Sequence, residues 1–144
     1  MDVSELRKKI LRALEDARQD AASRRQAIDE AARAYDLFLA DIAGPVMRQA
    51  ASVLKAEGHV FAVETPANSV RIVSAGSPDT FIELTLDTSG SAPAVMGRVS
   101  VTRGKRGLLV AERPIATGTP VASLTEEDLS AFLVSEIPKL VVRS

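Results

Sequence analysis

Few residues in this chain belong to types that do chemistry unaided. There is no cysteine, which excludes disulfides, thiol nucleophiles and thiolate metal sites. His59 is the only histidine and follows Gly58, where a helix ends and a strand begins. A general base there needs a partner acid and a nucleophile, and the spacing supplies neither. A metal held by one histidine would lean wholly on carboxylates. The triplet Glu126-Glu127-Asp128 opens a helical pattern, where the helix dipole favours negative charge, so capping accounts for it without a metal.

Two short patterns come nearer to known chemistry. Pro78-Asp79 followed by Glu83-Leu84-Thr85 resembles the Pro-Asp…Glu-x-Lys arrangement of restriction-type nucleases. That resemblance implies two acids on a divalent metal and a lysine beside the attacking water. Thr85 stands at the lysine position, so Pro78-Asp79 is read as a turn and Glu83 as a cross-strand ion-pair residue. Gly104-Lys105-Arg106-Gly107 faintly resembles part of a phosphate loop, but Arg replaces the hydroxyl residue and the segment lies between strands rather than before a helix. It is read as a hairpin tip. With Arg98, Arg103 and Arg113, Lys105 and Arg106 make a candidate basic contact surface. No aromatic residue interleaves them, and Glu83 and Glu112 dilute the charge.

No catalytic, cofactor-binding or metal-binding residue is therefore assigned, and no cofactor is expected. Composition points the same way. The formal charge of −1 gives no general attraction to nucleic acid or anionic lipid. Aromatic residues make up only 3%, so the core must be built from Val, Leu, Ile and Ala. The charged opening Met-Asp-Val-Ser-Glu-Leu-Arg-Lys-Lys lacks a signal-peptide apolar run, and no span approaching twenty apolar residues is apparent. A cytoplasmic chain with no membrane contact is expected.

The segment that must position everything else is the first forty residues. From Ser4 to Ala43 there is neither Gly nor Pro, and good helix formers dominate. Apolar residues recur at alternating steps of four and three: Ile10, Leu14, Ala17, Ala21, Ile28, Ala31, Tyr35, Phe38 and Ile42. Only Arg24 interrupts them, and the pattern is that of a coiled-coil seam. Forty helical residues span roughly 60 Å, whereas a compact chain of this size is about 40 Å across. Either the helix bends back near residues 18–26, or a partner covers its overhang. Ala21-Ala22-Ser23 is poor turn material, so the partner is preferred. The eight seam residues from Ile10 to Phe38 are the expected oligomerisation face of a homodimer.

Gly44-Pro45 is expected to end this helix and start a second, with Val46, Met47, Ala50, Val53 and Leu54 on its apolar face and Gly58 as its cap. The hydrophobic period then changes to two. Five strands are expected at 59–64, 69–74, 80–87, 95–103 and 108–112, joined by turns too short to cross over, hence an antiparallel meander. Hairpin symmetry places Arg71 opposite Glu83, Ile72 opposite Ile82, Glu83 opposite Arg98 and Ile82 opposite Val99. One face then collects Val70, Ile72, Ile82, Leu84, Leu86, Val95, Val99 and Val101 for the helices. The other exposes an ion-pair row of Arg71, Glu83 and Arg98. After an extended lead-in at 121–123, Thr125 and Asp128 form a capping box, Leu124 staples onto Leu129, and Pro138 kinks or ends the last helix.

The expected architecture is α+β: an arm at 1–43 and a domain at 44–144, with the helices on one face of a five-stranded antiparallel sheet. The expected function is a non-catalytic assembly or adaptor protein that self-associates through its N-terminal helix and presents its sheet face to a protein partner. The alternatives are a nucleic-acid accessory protein using residues 103–106 and, less favoured, a metal-dependent enzyme.

Overall fold

A computed structural model describes residues 2–103 and 107–141. The order is α1 (Val3–Phe38), a π-helical turn (Leu39–Ala43), α2 (Gly44–Ala56), five strands and α3 (Glu126–Val141). The strands are β1 (Phe61–Glu64), β2 (Val70–Ser74), β3 (Ser77–Asp87), β4 (Ala94–Thr102) and β5 (Leu108–Pro114). They form one antiparallel sheet in the order β1-β2-β3-β4-β5. This is the α+β meander expected from the change of period.

The helix does not stop at Gly44-Pro45. Gly44 keeps helical angles (φ −56°, ψ −56°), and residues 3–56 run as one helix of 54 residues. A proline in a helix lacks its N–H and crowds the carbonyl four residues back. The widened π turn lies directly upstream of Pro45, where that conflict has to be absorbed. One eighteen-residue stretch of this helix is apolar enough, by length and composition, to cross a bilayer, contrary to the expectation that none came near. Its helix spends Phe38, Ala43, Val46, Met47 and Leu54 on the protein's own core. The far end closes in a Schellman motif: Gly58 (φ +89°) donates to the Lys55 carbonyl at 3.0 Å, and the His59 N–H to that of Leu54 at 2.8 Å.

The sheet register agrees with the hairpin-symmetry estimate at Arg71↔Glu83, Ile72↔Ile82, Ile82↔Val99 and Glu83↔Arg98. Val70, Ile72, Ile82, Leu84, Val95 and Val99 are buried beneath the helices, with Leu86 and Val101 half-buried at the margin. α2 lies over β1 and β2, and α3 over β3 and β4. β3 begins earlier than expected. Ala75-Gly76 makes a tight turn to Ser77, and the register then slips, so that residues 78–80 bulge before Phe81 pairs with Val73.

α3 starts as its capping box dictates. Thr125 N–H donates to Asp128 Oδ2 (2.9 Å), and Asp128 N–H to Thr125 Oγ1 (3.2 Å). Leu124 and Leu129 are both buried. Two details differ from expectation. Residues Val121–Ser123 form a 3-10 turn rather than an extended lead-in, and α3 continues through Pro138 to Val141. Pro138 deprives the Val134 carbonyl of its helical donor, but Val134 lies on the exposed side of the helix, where solvent can take the donor's place.

α3 presses onto the sheet at one point that leaves no room for a side chain. The Phe132 ring rests on Gly97, and a Cβ there would overlap the ring. Gly97→Ala is expected to cost about 1–3 kcal/mol through overpacking. Urea denaturation of a double-mutant cycle checks this, because the penalty should shrink when Phe132→Leu is present.

Candidate functional site

The residues with catalytic potential do not converge. His59 sits in the helix cap, exposed. Asp79 lies in the β3 bulge, where its backbone carbonyl accepts from Ser100 Oγ at 2.6 Å. Glu83 is engaged by Arg71, whose Nη2 and Nε donate to Oε2 at 2.9 and 3.2 Å, and Ser69 Oγ reaches the same oxygen at 3.4 Å. Among the described residues, no three acidic or histidine side chains gather as metal ligands. The nuclease-like pattern is thus split between a bulge and an ion pair.

The basic surface is also divided. Strand alternation puts Arg98 and Arg113 on opposite faces, since Arg98 opposes Glu112 while Arg113 opposes Gly97. Arg113 therefore does not join Arg98 as expected. Its guanidinium stacks on the Phe132 ring, 4.4 Å from the centroid, and donates through Nε to Glu136 at 2.9 Å. Arg103 is exposed at the hairpin, its N–H donating to the Gly107 carbonyl. Lys105 and Arg106 lie outside the described residues.

On the open face the register aligns Arg71, Glu83 and Arg98 as expected, but among the described residues only Arg71–Glu83 closes as an ion pair, and Arg98 stands opposite Glu83 without one. Register adds Glu64 opposite Arg71 and Glu112 opposite Arg98. Acids and bases thus alternate across all five strands: Glu64, Arg71, Glu83, Arg98, Glu112. Each charge faces its opposite across a strand gap, a favourable arrangement for antiparallel neighbours. The adjacent row is mostly apolar: Ala62, Val73, Phe81, Ser100 and Val110. Arg71 links the two rows by lying over Phe81, 4.5 Å from its centroid. The signal for Glu64 and Glu112 was present in the sequence as strand parity, but only the register of the outer strands makes it usable.

Where β1 and β2 stop short of the end of β3, a cleft of about 690 Å³ opens between α1 and the sheet. Tyr35, Asp36, Asn68, Ser69 and Glu83 line it. Asn68 takes a left-handed conformation (φ +61°), which asparagine tolerates better than most residues. The Tyr35 hydroxyl donates to the Asn68 carbonyl at 2.7 Å, with the Leu84 carbonyl at 3.2 Å. Burial, then the charges of Glu83 and Asp36, push its pKa well above the ordinary tyrosine value. The phenol stays protonated and acts as a latch between helix and sheet, not as an acid or base near neutrality. Tyr35→Phe is expected to cost about 1–2 kcal/mol by stranding those acceptors, read as a lowered urea midpoint.

The seam residues of α1 have two fates. Ala31, Tyr35 and Phe38 are buried in the molecule's own core, and Ile28 is half-buried. These four were expected on an oligomerisation face, and three of them are spent inside the monomer. Ile10, Leu14, Ala17 and Ala21 remain exposed. Arg24 marks the junction, its Nη2 donating to the Thr88 carbonyl at 3.4 Å. Compared with protein-family models, curated proteins and solved structures, the chain matches none.

Glu136 supplies a pH-sensitive joint. Burial raises its carboxyl pKa, but hydrogen bonds and charge from Lys139 and Arg113 outweigh that, leaving it below the ordinary value. A depressed folded pKa gives stability that is full above the unfolded glutamate range, near pH 4.3, and lost as pH falls through the folded value. Glu136→Gln should cost about 1–2 kcal/mol at pH 7, discounted because both bases are substantially exposed. It should also flatten the acid limb of a stability–pH profile, measured by denaturation between pH 3 and 7.

Proposed function

We propose that this protein is a non-catalytic assembly or adaptor protein that self-associates through the exposed N-terminal part of α1 and offers its open sheet face to a protein partner. One observation carries the reading. The apolar stripe of α1 continues outward from the body for residues 3–21, with Leu6, Ile10, Leu11 and Leu14 each about half exposed (45–54%). Isolated surface leucines need no explanation, but a periodic stripe on a projecting helix does. A helical segment of about twenty residues holds marginally by itself in water, and packing an amphipathic face is what normally stabilises it.

The open face supports the second half of the reading. Its alternating charges oppose indiscriminate docking and set a register for a complementary surface, while Phe81 and Val110 in the neighbouring row provide apolar contact. The exposed edge strand β5 ends the sheet with Leu108, Leu109 and Val110 uncovered.

Size-exclusion chromatography with light scattering tests the self-association. The wild type should elute as a dimer at tens of micromolar. Ile10→Glu combined with Leu14→Glu should weaken the dimer a hundredfold or more, about 2.7 kcal/mol, while the far-UV spectrum of the body is retained. Those positions discriminate where Tyr35 would not, because they touch nothing in the monomer core. A wild-type monomer at that concentration overturns the proposal.

A further inference from the structure

We infer that the N-terminal arms of two copies pair antiparallel, centred near Arg12, with each arm ending against the other copy's body. This rests on the self-association proposed above and adds its orientation, register and limits.

The first observation is which side of α1 carries the exposed stripe. The seam keeps its four–three spacing from Ile10 to Phe38, with Arg24 as its one polar position. Ala31, Tyr35 and Phe38 on that seam are buried against the molecule's own sheet and helices. The body therefore sits on the stripe side of the helix, starting at Ile28. In a parallel pair the second helix would continue along this seam past position 28, into space the body fills. An antiparallel helix instead runs toward the body and ends before reaching it.

Seam spacing sets the register. In an antiparallel pair, adjoining seam positions sum to a constant, and the value 24 places Ile10 against Leu14 and Ala21 against Val3 of the second copy. The second copy's Asp2, which caps its own helix by accepting from Ser4 N–H, then comes level with Ala22. Arg24 and its bond to Thr88 lie immediately beyond. The exposed stripe and the partner's length thus end at the same place.

Charge favours the same arrangement. Parallel pairing would set Arg7 against Arg7 and Arg24 against Arg24 on the seam. Antiparallel pairing sets Arg7 against Ala17, a small residue that leaves room for the long side chain, with Asp20 of the second copy within one turn to receive it. Arg24 comes beside the second copy's Asp2 carboxylate. Two like-charge contacts become two opposite-charge ones.

The chain has no native cysteine, so engineered ones report cleanly. Arg7→Cys and Ala17→Cys are made separately and oxidised alone and as an equimolar mixture, with the mass in solution followed by light scattering. In the antiparallel pair, position 7 meets position 17. The two copies of position 7 stand ten residues apart, about 15 Å along the axis, beyond disulfide reach. The inference expects a heterodimeric disulfide in the mixture, at least tenfold more abundant than either self-linked species. Efficient self-linking of Arg7→Cys would show parallel arms and overturn the inference while leaving self-association standing. A dimer by mass with no cross-link would move the contact off the arm and overturn it too. A monomer would remove the inference together with the reading it rests on.

Discussion

One apolar stripe on one uninterrupted helix governs this molecule. From Ile28 onward the stripe is the spine of the core, with Tyr35, Phe38, Val46 and Met47 facing the sheet. Before Ile28 the same stripe has no body to cover it. A helix rises about 1.5 Å per residue whatever it packs against, so its length and the domain's breadth cannot both be satisfied within one copy. The mismatch is built into the covalent chain.

The sheet's two faces divide labour in the same physical terms. The helix-covered face is aliphatic, with Gly97 left bare so that Phe132 can settle on the backbone. Arg113 then roofs the ring and ties it to Glu136 one helical turn away, so a charged residue beside the core keeps its guanidinium partly in solvent. The open face has no helix to hide behind. It carries charges of alternating sign across every strand, paired directly at Arg71–Glu83, and this pattern resists stacking on a surface of like pattern in the wrong register.

Tyr35 joins these two systems. It lies on the seam, yet its hydroxyl reaches the turn carbonyl of Asn68 and the sheet carbonyl of Leu84. The helix is thus fixed in rotation about its own axis relative to the sheet. That rotation decides which way the stripe points once it leaves the body, and so what the outer arm can meet.

Local patterns in the sequence determined a good deal. The change of period after Gly58, the short turns and the Thr125–Asp128 box specified five antiparallel strands, their central register and the start of the last helix. Each of these depends on residues within a few positions of one another, or on symmetry about a short turn. The tertiary structure decided what depends on competition between distant groups. Gly44-Pro45 reads locally as a break, but packing of the flanking apolar faces on one sheet keeps the helix whole through a π turn. Pro138 is passed over because the carbonyl it orphans belongs to Val134, on the exposed side of the helix. Arg113 reads as part of a basic patch, yet strand parity and Phe132 draw it to the other face. The seam looked uniform from Ile10 to Phe38. Only the position of the body divided it into core and exposed arm, since burial belongs to the space around a residue, and a periodic sequence does not record where that space ends.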